Sequence, residues 1–407
     1  MKKLIRNIMI AAAAALSVAG CRDDMPEMHN PMTNVTIYNW SQLFDAYWSG
    51  MNYNYVFWDI DPTDWDAVYR EYKPRFDDLA HASITDEAVN DSAINMLESI
   101  TADLIDGHYG IIIPQWTVGN DEAVYITPAN ERIRQRPGYH DGNDTEPYDK
   151  ALEKMISEQR LTNGFKTVYP IPEIGMDFNG VVGVVDNDIV YLKFNTFYFS
   201  MFVGGENPID DLYDKYNDLL DNYPDVKGVV IDVRNNGGGI VDDMQLLLGK
   251  LVDERKTVFY TRMKNGAGRL DYTPWTPAYL EPDERTRSLD VPIVVLADMN
   301  SVSMAEMTTM AVKVLPNGVF IGERTFGGTG QLNRSNSSFE NFYGGYFAIA
   351  GSIEVHTTMT MTKDVDGVNL EGVGVDPDIE EPYDGASLEC GVDNQLERAI
   401  EYIHTGR

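Results

Sequence analysis

Apolar positions along the chain change their period several times. Residues 8–19 form an apolar run behind Lys2, Lys3 and Arg6, too short to span a bilayer as a stable helix, and residues 1–20 read as a signal peptide. Residues 21–37 are polar, carry Pro26 and Pro31 and have no periodicity, which is the pattern of a tether. Helical spacing begins at Trp40. Leu43, Phe44, Tyr47 and Trp48 recur on one face, Trp65, Val68, Tyr69 and Tyr72 on a second, and Ala88 through Ile105 forms a third. The spacing predicts a helical domain over 38–108, its second helix opened by Pro62 and Thr63 and interrupted or bent at Pro74. Its aromatic stripe reads as core.

Residues 109–188 are less periodic. Ala123–Thr127 and Val181–Val185 are β-like, 131–145 is a polar stretch rich in Arg, Gly and Asp, and 151–159 is helical. A small β-rich insert is expected there; the glycine-led carboxylate loop of a PDZ domain is not found. From 189 to 407 the texture is α/β. Strands are expected at 189–194, 228–233, 257–262, 293–297 and 319–321, and helices at 208–222, 241–253, 303–315 and 394–403. Short β-branched runs alternating with helices imply a mostly parallel sheet covered on both faces. No solenoid repeat is present.

Composition narrows the classes. The 407 residues carry 32 Lys+Arg against 64 Asp+Glu, a net charge of −32, so a nucleic-acid role would need a local basic stripe, and none is found. Loss of residues 1–20 removes three cations and leaves −35. Of the two cysteines, Cys21 follows Val18-Ala19-Gly20, which resembles the bacterial lipobox. The mature chain is then expected to start at a lipidated Cys21. Arg22-Asp23-Asp24 is similar to the short charged export signal of some surface lipoproteins, so the expected location is the cell envelope, at the outer membrane, either periplasmic or surface-exposed. Cys390 is left as a lone thiol, and a disulfide framework is excluded.

Two constellations could carry chemistry. The strand 229–233 runs into Arg234-Asn235-Asn236-Gly237-Gly238-Gly239, a turn whose glycines allow positive φ and close approach of backbone N–H groups to an anion. It lacks the Lys-Ser/Thr of a nucleotide loop. The strand 293–297 leads through Asp298-Met299-Asn300 to Ser301-Val302-Ser303-Met304-Ala305-Glu306, placing Ser303 where a strand becomes a helix. There its hydroxyl is exposed and the Met304 N–H faces the same anion. Ser303 and Glu306 equally fit a capping box. Asp364, Asp366, Asn369 and Glu371 miss the calcium-loop ladder, and no Cys/His pair has zinc spacing, so neither metal nor cofactor is expected.

Together with Gly322–Gly328 and Gly372-Val373-Gly374-Val375-Asp376-Pro377-Asp378, these motifs occur in the order seen in C-terminal processing (tail-specific) serine peptidases, and the chain resembles that family over about 38–108 and 189–403. The resemblance implies a ClpP/crotonase-like α/β core behind the helical domain and the insert, with Ser303 as nucleophile and the amides of Gly238 and Met304 as oxyanion hole. The processing branch has a lysine 25 residues beyond the nucleophile; here that residue is Gly328, and Lys313 is only ten residues on. The chain is more similar to the tricorn-core branch, which uses an early histidine and a late glutamate. That implies His108 as base and Glu371, or more weakly Asp376, as its support, although Gly107 stands where that branch has a serine. The function implied is hydrolysis of peptide or unfolded protein substrates. The rival is a non-catalytic binding protein on the same fold, as interphotoreceptor retinoid-binding protein is, for a peptide or hydrophobic ligand; a scaffold is the third reading.

Overall fold

A computed structural model describes residues 36–119, 121–266, 268–284, 289–332 and 344–407. The expected signal peptide, Cys21 and most of the tether lie outside the described residues.

The central sheet has seven strands in the order Ile379–Glu380, Gly318–Gly322, Ile293–Ala297, Gly228–Asp232, Ile189–Phe194, Met176–Val185 and Leu161–Ile171. The first five are mutually parallel, and Met176–Val185 runs antiparallel to both of its neighbours. Gly228–Asp232 and Ile293–Ala297 are buried at every position, which is why they read as unbroken apolar runs without alternation. Helices Pro208–Asn222, Asp242–Leu248 and Met304–Lys313 cover one face; Glu146–Ser157 and Asn394–Thr405 cover the other. The register pairs Val229 with Ile293 and Asp232 with Leu296. The carboxyl ends of these neighbouring strands therefore deliver the triple glycine and Ser303 side by side, at the edge where open α/β sheets bind ligands.

The N-terminal helices Trp40–Asn54, Trp65–Asp77 and Glu87–Thr101 share one core with an antiparallel four-stranded sheet ordered Phe347–Ile349, Ile353–His356, Gly110–Ile113, Val124–Ile126. A third, three-stranded sheet joins Thr360–Lys363, Lys256–Met263 and Thr276–Leu280. The second helix begins after Pro62 and Thr63, because Asp64 caps it by accepting the Ala67 N–H at 2.9 Å. Pro74 does not interrupt it: the proline lies in the last turns, the carbonyl it leaves without an N–H belongs to exposed Arg70, and Asp78 N–H still reaches the Pro74 carbonyl at 3.1 Å.

Residues 109–188 are shared among these layers. Gly110–Ile113 and Val124–Ile126 complete the N-terminal sheet, and Leu161–Ile171 and Met176–Val185 extend the central one. Pairing of Gly110–Ile113 with Ile353–His356 ties the end of the helical region to the segment before Thr357, which bears directly on His108.

Candidate active site

Ser303 sits at φ 61°, immediately before helix Met304–Lys313. A non-glycine residue there stores strain of about 1–3 kcal/mol, which persists only where neighbours over-determine the turn. Four bonds do so. Ser303 N–H donates to the Gly328 carbonyl at 2.9 Å, Val302 N–H to the Asn236 carbonyl at 3.0 Å, Phe326 N–H to the Ser301 carbonyl at 3.1 Å, and Ser301 Oγ to the Val233 carbonyl at 2.7 Å. Ser301 is therefore a tie between strands, and half-buried Ser303 is the hydroxyl presented by the turn.

Glu306 does more than cap. Its buried carboxylate accepts the Ser303 N–H at 3.3 Å and also Thr325 Oγ1 at 2.6 Å, Gly327 N–H at 2.8 Å and Gly328 N–H at 2.7 Å. Burial pushes its carboxyl up, and these four donors oppose that. One side chain thus locks the serine turn to the glycine loop beside it.

His108 enters from the N-terminal region. Its backbone N–H donates to Asp106 Oδ1 at 2.9 Å, while Asp106 Oδ2 accepts Thr357 Oγ1 at 2.6 Å and Thr358 N–H at 2.9 Å. Glu371 does not bond the imidazole. Its Oε1 accepts Gly107 N–H at 2.8 Å, and its Oε2 accepts Thr329 N–H at 2.8 Å, Thr329 Oγ1 at 2.9 Å and Gly330 N–H at 3.0 Å. It holds the backbone on which the histidine stands. A ligand atom from each of Asp106, His108 and Glu371 lies within 4.8 Å of the others, so the same three groups are the ones a cation could reach. Burial lowers the His108 pKa, the Asp106 charge opposing; burial, then the Asp106 charge, push Glu371 well above the usual carboxylate range.

The two departures from the resembled families explain one another. A Cβ at Gly328 would stand 2.9 Å from Val302 Cγ2 and 3.2–3.3 Å from the His108 ring, so a lysine at 328 and this imidazole compete for one space. At Gly107 a Cβ would lie 2.5 Å from both the Gly327 carbonyl oxygen and Gly328 Cα, leaving no room for a serine. Gly107→Ser is expected to lower the unfolding free energy by about 1–3 kcal/mol in urea titration; an unchanged midpoint would show that the segment does not pack this closely.

Gly238, at φ 89°, has its missing Cβ 2.5 Å from Ser303 Cβ and 3.0 Å from Met304 N. The turn is at the serine, as expected, but Gly238 N–H donates to Asn236 Oδ1 at 2.8 Å, so an oxyanion has to displace that side chain. Met304 N–H opens its helix and has no intrahelical acceptor. Among the described residues no hydrogen bond joins Ser303 to His108, and His108 Nδ1 is buried without a partner. The two share Gly328 as neighbour. Asp376 is not brought to the site: it pairs with Arg324 at 2.5 Å on the surface. Lys313 donates to the Asp376 carbonyl at 2.9 Å and pairs with Asp378, away from Ser303. Asp106, Asn236, Thr329 and the second role of Glu306 were not foreseen; only the adjacency of Asp106 to His108 offered a signal.

Residues 188–381 match the model of peptidase family S41, and residues 38–83 match that of the tricorn protease C1 domain. Residues 188–381 are thus similar to an S41 peptidase domain. The chain is 30% identical to the tricorn protease of Thermoplasma volcanium over 43% of its own length and 14% of that protein. It is 23% identical to the carboxy-terminal-processing protease of Bartonella bacilliformis over 71% of its own length and 66% of that protein. The chain thus spans about one-seventh of the tricorn protease. The crystal structure of a candidate peptidase from Parabacteroides merdae shares the fold, with a TM-score of 0.64 at 22% identity, covering 91% of this chain and 98% of that one. Mature CPAF shares it with a TM-score of 0.57 at 12% identity, covering 90% and 98%.

Proposed function

We propose that this chain is a serine peptidase acting on peptide or unfolded protein substrates. The observation that carries the reading is Ser303, held at positive φ against Gly238 at the strand ends, with the His108 ring in the space that a side chain at 328 would need. Ser303 Oγ attacks the scissile carbonyl while His108 takes its proton, and His108 then returns that proton to the leaving amine. Water attacks the resulting ester by the same route. Met304 N–H, and Gly238 N–H once it leaves Asn236, hold the oxyanion. The imidazole turns toward Ser303 when substrate binds, since catalytic hydrogen bonds commonly tighten only in the complex. Glu371 and Asp106 are positioning residues. The test is hydrolysis of a fluorogenic peptide library and an unfolded protein by the mature chain: cleavage that disappears in Ser303→Ala supports the reading, and binding without cleavage would favour the carrier.

A pH profile follows from the histidine. His108 serves as base only when neutral, and burial lowers its pKa from 6.5. The acidic limb of kcat/KM therefore falls below pH 6.5; a limb above it would contradict the assignment.

We further propose that Cys21 carries a lipid anchor and holds the domain at the cell envelope, from the lipobox-like Val18-Ala19-Gly20-Cys21. Incorporation of radiolabelled palmitate during bacterial expression, lost in Cys21→Ser, is the expected result. An unlabelled wild-type chain would overturn it.

A further inference from the structure

A cavity of about 130 Å3 opens beside the glycine turn, at the carboxyl ends of the parallel strands. Leu152, Val181 and Phe194 give it apolar walls, and Asn195 and Asn235 line its rim. The rim is continuous with the serine site: the Asn195 carbonyl accepts Gly237 N–H at 3.3 Å, and Asn236, next to Asn235, holds Val302 and Gly238.

Two of the residues that line it, Lys193 and Tyr148, carry polar atoms without hydrogen-bond partners. Lys193 Nζ is buried, lies 3.3 Å from Asp232 Oδ1 without hydrogen-bond alignment, and sits 4.8 Å from the Tyr148 ring centroid. Tyr148 Oη is buried and unpartnered as well. The neighbouring cation is spent. Arg234 gives Nε and Nη2 to Asp232, Nη1 and Nη2 to Asp393, and Nη1 also to Gln395. Leaving buried donors unmade is expensive, so an unpartnered pair on residues that line a cavity at the strand ends points to a ligand group.

Charge decides which group. Lys193 and Arg234 balance Asp232 and Asp393, so an added carboxylate would leave one buried charge uncompensated. A neutral acceptor does not. An amide side chain accepts from Lys193 Nζ through its oxygen and can donate to Tyr148 Oη through its nitrogen, while its methylenes lie on the apolar walls.

We propose that this cavity is a substrate side-chain subsite selective for glutamine or asparagine, with Lys193 and Tyr148 as the specificity-determining residues. It rests on the peptidase reading only for the substrate's path, and binding tests it without turnover. The probe is a positional library of fluorescein-labelled hexapeptide amides, titrated by anisotropy against the full mature chain carrying Ser303→Ala. At one peptide position, glutamine should bind about tenfold or more tighter than leucine or glutamate, the range for a hydrogen bond to a charged donor. Lys193→Met should erase that preference while leaving leucine peptides unchanged, and Tyr148→Phe, which keeps the ring, should weaken glutamine alone. Absence of a glutamine preference, a preference for glutamate, or a preference that survives Lys193→Met overturns the proposal. If the Lys193-dependent preference appears but the wild-type chain cleaves nothing, the subsite stands and the peptidase reading falls.

Discussion

Ser303→Ala is expected to reduce kcat/KM by about 10⁴-fold or more, the scale seen when the nucleophile of a serine–histidine site is removed. His108→Ala should cost about as much, and the double replacement no more than either alone, because the two act as a unit. The cycle separates chemistry from folding. Ser303 is half-buried, and Asp106 is held by the His108 backbone N–H rather than by its ring, so neither replacement takes a hydrogen bond from a buried carboxylate. Measured kcat/KM values that multiply across the cycle would mean that serine and histidine do not share one proton transfer.

The second large effect lies in the floor of the site. Arg234 is buried with Asp232 and Asp393, to each of which its guanidinium donates two hydrogen bonds at 2.5–2.9 Å. Burial alone would raise the Asp232 carboxyl, but Arg234 and Lys193 overcome it and hold it well below the usual range. Arg234→Met leaves both carboxylates buried without their main cation. The expected loss is about 3–5 kcal/mol of unfolding free energy, the cost of breaking rather than replacing a buried ion network. Urea titration reads it directly; a loss under about 1 kcal/mol would show that Lys193 and water compensate the charges. Because Asp393 caps helix Asn394–Thr405 by accepting Leu396 N–H at 3.0 Å, the same change should loosen the C-terminal helix first.

The elements that positioned the nucleophile were legible because their determinants are local. Ile293–Ala297 is apolar at all five positions, and the step from its end to a serine followed by a helical run marks the turn without reference to distant residues. The glycine turn was legible for the same reason. Residues 109–188 were not, since Leu161–Ile171 alternates irregularly at the sheet edge, and Gly110–Ile113 is only four residues whose partner, Ile353–His356, lies far along the chain. The surroundings of the base were hidden by the same non-locality. Asp106 is fixed by Thr357 and Thr358, and Glu371 reaches Gly107 rather than the imidazole. Motif order pointed to His108 and Glu371, but only the packing of Gly107 against Gly327 and Gly328, and of Gly328 against Val302 and the His108 ring, explains why one family's serine and another's lysine are both glycine here.

The central claim is that Ser303 is a nucleophile activated by His108. A fluorophosphonate probe reacts with such a hydroxyl and leaves a covalent phosphonyl adduct, so the decisive measurement is intact-mass and peptide mass spectrometry of the mature chain after labelling. A single adduct on Ser303 is expected, absent in Ser303→Ala and slowed by orders of magnitude in His108→Ala. A wild-type chain that stays unlabelled, or an adduct that persists in Ser303→Ala, would contradict it.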